Sequence, residues 1–188
     1  SPGGYVVRKG YDTREIYQVP QYEETPEIIY RYAEVLLNFA EAKAELGNIT
    51  QADLDKSINK LRERVGMPPL VLGDIAIDPA WEFPDLSPII NEVRRERRVE
   101  LALEGFRFDD IMRWAAADEL IVGKRPRGFR AAQVDENPYP VDEEGFLDPY
   151  RESLPNGYGF KTNRDYLNAI PKNQMELNPN LVQNPGWQ

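Results

Sequence analysis

Asp109-Asp110 and the run Asp142-Glu143-Glu144-Gly145-Phe146-Leu147-Asp148 are the carboxylate clusters of this sequence. Cleavage of a glycosidic bond requires two carboxyl groups facing each other across it at a set separation, which spacing along a chain does not establish. Solvation or ion pairing is the plainer role for these acids, and no catalytic residue is assigned. Carboxylate oxygens also suit Ca²⁺, but the 142–148 run lacks the EF-hand order of ligands, so no cofactor is expected and calcium is only a minor alternative. The chain contains neither histidine nor cysteine. That excludes Ser-His-Asp triads, Cys-His dyads, Cys/His zinc sites and disulfides built from its own residues.

The aromatic residues point to binding. Trp81 lies in DPAWEFPD, and Tyr139, Phe146, Tyr150 and Tyr158 lie in loops rich in proline, glycine and asparagine. A flat ring presented on a loop can stack on the apolar face of a pyranose, while neighbouring Asn, Asp and Arg hydrogen-bond its hydroxyls. The competing role for each ring is to seal its loop onto the helical core. Trp114 shares a helix stripe with Ile111 and is expected in the core.

The elements that must position these residues follow from proline, which is absent from 27–67 and again from 89–125, and frequent between and after those stretches. In the first block, Thr25 as N-cap and Pro26 at the first helical position open a helix running to Gly47, with Ile28, Tyr32, Val35, Leu36, Phe39, Ala40 and Lys43 on one stripe. A second helix starts at Thr50, with Asp53 completing a capping box and Leu54, Ile58, Leu61 and Val65 as its stripe, and stops at Gly66. The two form a helical hairpin of tetratricopeptide length over about 25–66, which needs neighbours to bury both faces.

The second block, about 87–121, opens with Ser87 and Pro88, runs to a stop or kink at Gly105, and resumes as FRFDDIMRWAAADEL. Its stripe of Ile90, Val93, Arg97, Leu101 and Glu104 places an arginine and a glutamate where apolar residues belong. Two readings stand: a solvated helix laced with i,i+3 and i,i+4 pairs, or a buried ion network that sets how the helix crosses its partner. The part from 122 to 188 is loop-rich, with short strands conceivable only at 5–7 and 159–161. Fold class is thus mainly α with long irregular loops and little β, in a single domain over 1–188.

The 188 residues carry 23 Lys+Arg against 32 Asp+Glu, a net charge of −9, with 41% hydrophobic and 11% aromatic residues. That suffices for a sizeable core and argues against nucleic acid or an anionic membrane as partner. No run reaches the roughly 18 apolar residues of a membrane span.

RRERRVELALEGFRFDDIMRW, residues 94–114, resembles the signature of the SusD/RagB family, with Arg95, Arg97, Glu100, Leu101, Glu104, Gly105, Arg107, Asp110, Arg113 and Trp114 filling its pattern. RYAEVLLNFAEAKAELGN (31–48) is similar to a helix of that family's tetratricopeptide-like superhelix, IPKNQMELNPNLVQNPGW (170–187) to its C-terminus, and GYVVRKGYD to the stretch leading into that helix. The resemblance implies a surface-exposed, outer-membrane nutrient-binding lipoprotein that captures glycans and hands them to a SusC-like TonB-dependent transporter, without catalysis. Family members are much longer, so it also implies a C-terminal domain or fragment, joined to the membrane only through an N-terminal lipid anchor that this chain lacks. Arg95, Arg97, Glu100, Glu104, Arg107, Asp110 and Arg113 are then a structural ion network, and the ligand falls to the loop aromatics. The alternative is a helical protein-interaction scaffold, docking on the transporter or the missing N-terminal half, with no sugar site of its own.

Overall fold

The computed structural model describes residues 7–10, 12–19, 28–136 and 138–188. They are mainly helical. The described residues form no named strand, only isolated bridges pairing Val122 with Tyr158, Arg130 with Phe146 and Val141 with Leu147. The chain divides into two compact units, Arg8–Asp109 and a second built on Asp110–Gln188.

In the first unit, α1 (Tyr32–Glu45) is followed by α2 (Gln51–Lys56), α3 (Ile58–Arg64) and α4 (Pro88–Glu100). The expected caps Thr25 and Pro26 lie outside the described residues. Residues 28–31 are not helical, so α1 begins later than the sequence pattern indicates. Its end is as expected: Gly47 sits at φ +66°, with its N–H on the Ala44 carbonyl and that of Asn48 on the Lys43 carbonyl. That pair of bonds is a Schellman stop, and Gly66 repeats it after α3.

Thr50 and Asp53 form the capping box, with the Asp53 N–H on Thr50 Oγ1 (3.2 Å) and the Thr50 N–H on Asp53 Oδ2 (3.0 Å). The single helix expected from there to Gly66 is broken at Ser57 (φ −124°, ψ −96°). Ser57 is fully buried and its hydroxyl donates to the Asp53 carbonyl at 2.6 Å, a side-chain bond that competes with the helical ladder.

The core joins Ala33, Leu36, Leu37, Ala40 and Ala44 of α1 to Leu54, Ile58, Leu61, Leu70, Val93 and Leu101. Each fully buried leucine, isoleucine or valine contributes roughly 1.5–3 kcal/mol. Small residues on α1 let α4 pack closely. The stripe expected for α1 is therefore rotated: Leu36 and Ala40 are inside, whereas Tyr32, Val35 and Phe39 face outward, as Val65 does after α3. The sequence pattern offers two apolar faces, and packing used the smaller one.

Ser87 Oγ accepts the Ile90 N–H, and Pro88 opens α4 as expected. The helix ends at Glu100 rather than Gly105, because its last carbonyls are met from far along the chain. Lys9 Nζ donates to the Glu100 and Ala102 carbonyls (2.6 and 2.8 Å), and Arg31 Nη2 to that of Glu100 (3.0 Å).

α5 (Phe106–Arg113) stops at Ala115, whose φ of +50° takes the place usually given to glycine, and α6 (Ala117–Leu120) follows. Trp114 is only partly buried, with the Arg113 guanidinium 5.0 Å from its ring centre. This corrects the expected core position. The second unit ends with α7 (Lys172–Leu177) among loops. Residues 159–161 form no strand, and most of 5–7 lies outside the described residues.

Candidate functional site

The ion-network residues fall into several groupings. Arg97 is 5% exposed, beside the equally buried Glu41 of α1 (3.7 Å), donating to Asn38 Oδ1 at 2.6 Å and lying 5.7 Å from the Phe106 ring centre. Glu100 and Glu104 are held by Arg31 at 2.8 and 2.7 Å, with Arg64 also on Glu100 and Lys9 on Glu104. Arg95 reaches Asp78 (2.7 Å), Arg107 reaches Glu82 (3.0 Å), and Asp110 pairs with Arg113 (2.8 Å). Further partners sit outside the motif: Arg62 of α3 takes both Glu92 and Glu96 of α4, where burial pushes the Glu96 carboxyl above its ordinary range.

Trp81 lines a cleft of about 260 Å³ in the first unit with Asp78, Phe83, Arg94, Arg95 and Arg98. Its indole Nε1 is buried with no hydrogen-bond partner.

The other four aromatic candidates belong to the second unit, where two loops of opposite charge meet. The acidic loop is pinned by backbone bonds: Asp142 N–H to the Phe146 carbonyl (2.8 Å), Leu147 N–H to Phe129 (2.8 Å), Gly128 N–H to Leu147 (2.8 Å) and Asp148 N–H to Pro140 (2.7 Å). Asp142 Oδ1 accepts the N–H groups of Glu144 and Phe146, each at 2.9 Å. The basic loop supplies the counter-charges. Arg125 grips Asp148 bidentately (both 2.7 Å), with Arg151 at 3.1 Å, while Arg127 takes Glu144 at 2.7 and 2.9 Å and Asp142 at 2.8 Å. Phe146 lies against the guanidiniums of Arg127 (5.3 Å) and Arg130 (4.4 Å). Tyr158 lines a cleft of about 440 Å³ with Lys124, Arg125, Arg127, Asp142 and Asp148. Tyr139 and Tyr150 are partly buried and line neither cleft. Phe146 and Tyr158 are thus set around one charged patch. The Arg125–Asp148 and Arg127–Asp142 pairs escape sequence reasoning; their only signal is that 124–130 is basic and 142–148 acidic in matching measure.

These acids are not grouped for a metal. Among the described residues no set of three or more Asp, Glu, His or Cys is placed to hold one.

Asp148, only 2% exposed, has its carboxyl lowered to about 2, first by the hydrogen-bonded Arg125 and then by Arg151, against the cost of burial. A carboxyl lowered by folding stabilises the fold above its ordinary range and loses that contribution as pH falls through the lowered value. Acidification from about pH 4 to about 2 will therefore loosen the second unit. Asp148→Asn will flatten that part of the pH dependence while lowering stability at neutral pH, measured as the urea midpoint against pH; an unchanged slope refutes the assignment.

The SusD family model matches residues 1–187. SusD-like protein P2 of Formosa agariphila is 32% identical over 158 residues, covering 84% of this chain and 25% of that protein. SusD-like protein P38 of the same organism is 33% identical over 102 residues, covering 54% of this chain and 20% of that protein. Among solved structures, BT4246 matches with a TM-score of 0.60 at 34% identity, over 86% of this chain and 24% of that one. A SusD-like protein from Bacteroides fragilis NCTC 9343 matches with a TM-score of 0.56 at 26% identity, over 85% and 25%. The chain spans a quarter or less of the length of each. Because the family match runs through both units and relatives align at about one-third identity, the protein belongs to the SusD family.

Proposed function

We propose that this chain serves non-catalytic capture of glycans at the outer cell surface, within a lipid-anchored outer-membrane protein that delivers them to a SusC-like TonB-dependent transporter. The observation that carries the reading is the SusD family match along residues 1–187. The chemistry of the second unit agrees with it. A glycosidase acid must be protonated near neutral pH, its pKa raised by its surroundings, whereas Arg127 and Arg125 hold Glu144 and Asp148 below their ordinary range. Anchored in this way the chain needs no membrane span of its own, and no helix among the described residues is long and apolar enough to cross a membrane.

Calorimetric titration with a panel of oligosaccharides tests the reading. Saturable binding without release of reducing sugar is expected; no heat with any glycan, or time-dependent hydrolysis, refutes it.

The second reading, a protein-docking scaffold with no sugar site, is favoured by the outward face of α1, where Tyr32, Val35 and Phe39 are exposed next to Ile28, Ile29 and Tyr30. Scattered exposed hydrophobics are ordinary, but a row at helical spacing is the pattern of a contact face. Val35→Glu with Phe39→Glu will leave glycan binding intact under the first reading. Under the second, glycan binding is absent throughout, and the pair abolishes association with a SusC-like transporter or with the N-terminal half of a family member.

A further inference from the structure

In the second unit a further hollow of about 550 Å³ shares Arg125, Arg127, Asp142 and Glu144 with the Tyr158 cleft, so that the two form one groove. Tyr158 lines the first hollow and Arg151 the second. Three properties of the groove select a ligand class.

Its walls are charge-balanced: four basic and four acidic side chains line the combined hollows, in a chain whose net charge is −9. The strongest cations are already committed, Arg125 to the buried Asp148 and Arg127 to Glu144 and Asp142. A carboxylate or sulfate ligand on Arg125, Arg127 or the Asp148-paired Arg151 would have to displace one of these acids and desolvate against the rest, which leaves it only Lys124, whose ammonium donates to the Glu119 carbonyl.

The arrangement does suit a group that donates and accepts at once. Arg127 and Glu144 are 44% and 65% exposed, so their paired edge offers N–H donors and carboxylate lone pairs side by side, the combination that two neighbouring sugar hydroxyls satisfy. Arg127 is also positioned from behind, 5.3 Å from the Phe146 ring centre and 2.8 Å from Asp142, which is itself tied to two backbone N–H groups. Preorganisation of this kind lowers the entropic cost of binding.

Tyr158, 42% exposed, lines the same hollow as that edge, and its backbone is anchored there: its N–H donates to the Lys124 carbonyl at 2.9 Å, and residues 122 and 158 form a bridge. A partly exposed ring next to a donor–acceptor edge is the geometry of a stacked pyranose.

We infer that this groove is a subsite for an uncharged pyranose, which stacks on Tyr158 and places two hydroxyls on Arg127 and Glu144, and that it excludes glycans bearing uronate or sulfate. The inference rests on the glycan-capture reading and deepens it by naming the location and the charge class.

The test is calorimetric titration of the intact chain with maltohexaose, cellohexaose, xylohexaose and mannohexaose, against oligogalacturonate and a sulfated galactan oligosaccharide. At least one neutral oligosaccharide is expected to bind, with both anionic ones at least about tenfold weaker. Tyr158→Ala is expected to weaken the neutral ligand about tenfold, while Lys172→Ala on the exposed α7 leaves it unchanged, both with unaltered melting midpoints. Glu144→Gln removes one wall carboxylate and is expected to lose neutral ligand while gaining affinity for oligogalacturonate, a reversal that a merely structural role would not produce. Neutral binding that survives Tyr158→Ala, or that Trp81→Ala abolishes instead, overturns this inference and leaves glycan capture standing. Preference for an anionic glycan also overturns it. Absence of binding to every glycan overturns both.

Discussion

Arg97→Met is expected to destabilise the first unit by about 3–5 kcal/mol, the cost of stripping a buried carboxylate of its cation. Arg97 and Glu41 are 5% and 6% exposed, and the guanidinium also donates to Asn38 Oδ1 and lies near the Phe106 ring. Methionine fills much of the volume, so the loss is electrostatic rather than a cavity effect. Pairing the change with Glu41→Gln, which removes the stranded charge, should recover more than half of it. Urea denaturation of the four proteins of this double-mutant cycle gives the coupling directly. Additive effects would mean that the two side chains do not stabilise each other. On a chain of this size the single substitution lowers the melting midpoint by about 10 °C, taking about 2–4 °C per kcal/mol.

Gly157→Ala is expected to be comparably severe in the second unit. Gly157 has φ +72°, and a Cβ there would lie 2.4 Å from the Gly123 carbonyl carbon and 2.7 Å from both its oxygen and the Lys124 nitrogen. Those atoms are backbone and cannot swing aside, so the two loops must part. Left-handed strain and overpacking together cost about 2–5 kcal/mol. Gly123→Ala is the control: φ is also positive, at +70°, but nothing lies within 4 Å of its Cβ. Only conformational strain of about 1–2 kcal/mol applies there. Equal losses at the two positions would show that close approach is not what Gly157 serves. Because Gly157 seats the Tyr158 backbone on Lys124, its substitution should also reduce the glycan binding proposed above.

Much of the helical skeleton was legible in the sequence, because its signals are local. Gly47, Gly66, the Thr50–Asp53 box and the Ser87-Pro88 start act through bonds spanning a few residues, and each stands where the pattern puts it. What failed depends on distant groups. α4 ends early because Lys9 and Arg31 meet its last carbonyls, and nothing near Gly105 announces this. The break at Ser57 needs a buried hydroxyl that turns back on Asp53, whereas a serine in an exposed helix would have been neutral. The face of α1 could not be chosen from its own residues, since Tyr32, Val35 and Phe39 are more apolar than the Ala33, Ala40 and Ala44 that were buried.

By itself the sequence determined the family, the helical class and the kinds of chemistry excluded, since these follow from residue types and from spacing within single segments. A chain without histidine or cysteine loses those chemistries in any fold, and a turn closed by bonds between near neighbours forms wherever its residues occur. Only the tertiary structure decided which charges are partners and which aromatic rings share a patch. Arg62 reaches Glu92 and Glu96 across 30 and 34 positions, and Arg125 reaches Asp148 across 23. Ion pairing depends on distance and burial in space, which a linear pattern does not encode. That is why the acidic run 142–148, read from the sequence as solvated or ion-paired, meets Arg125 and Arg127 in the walls of one charge-balanced groove.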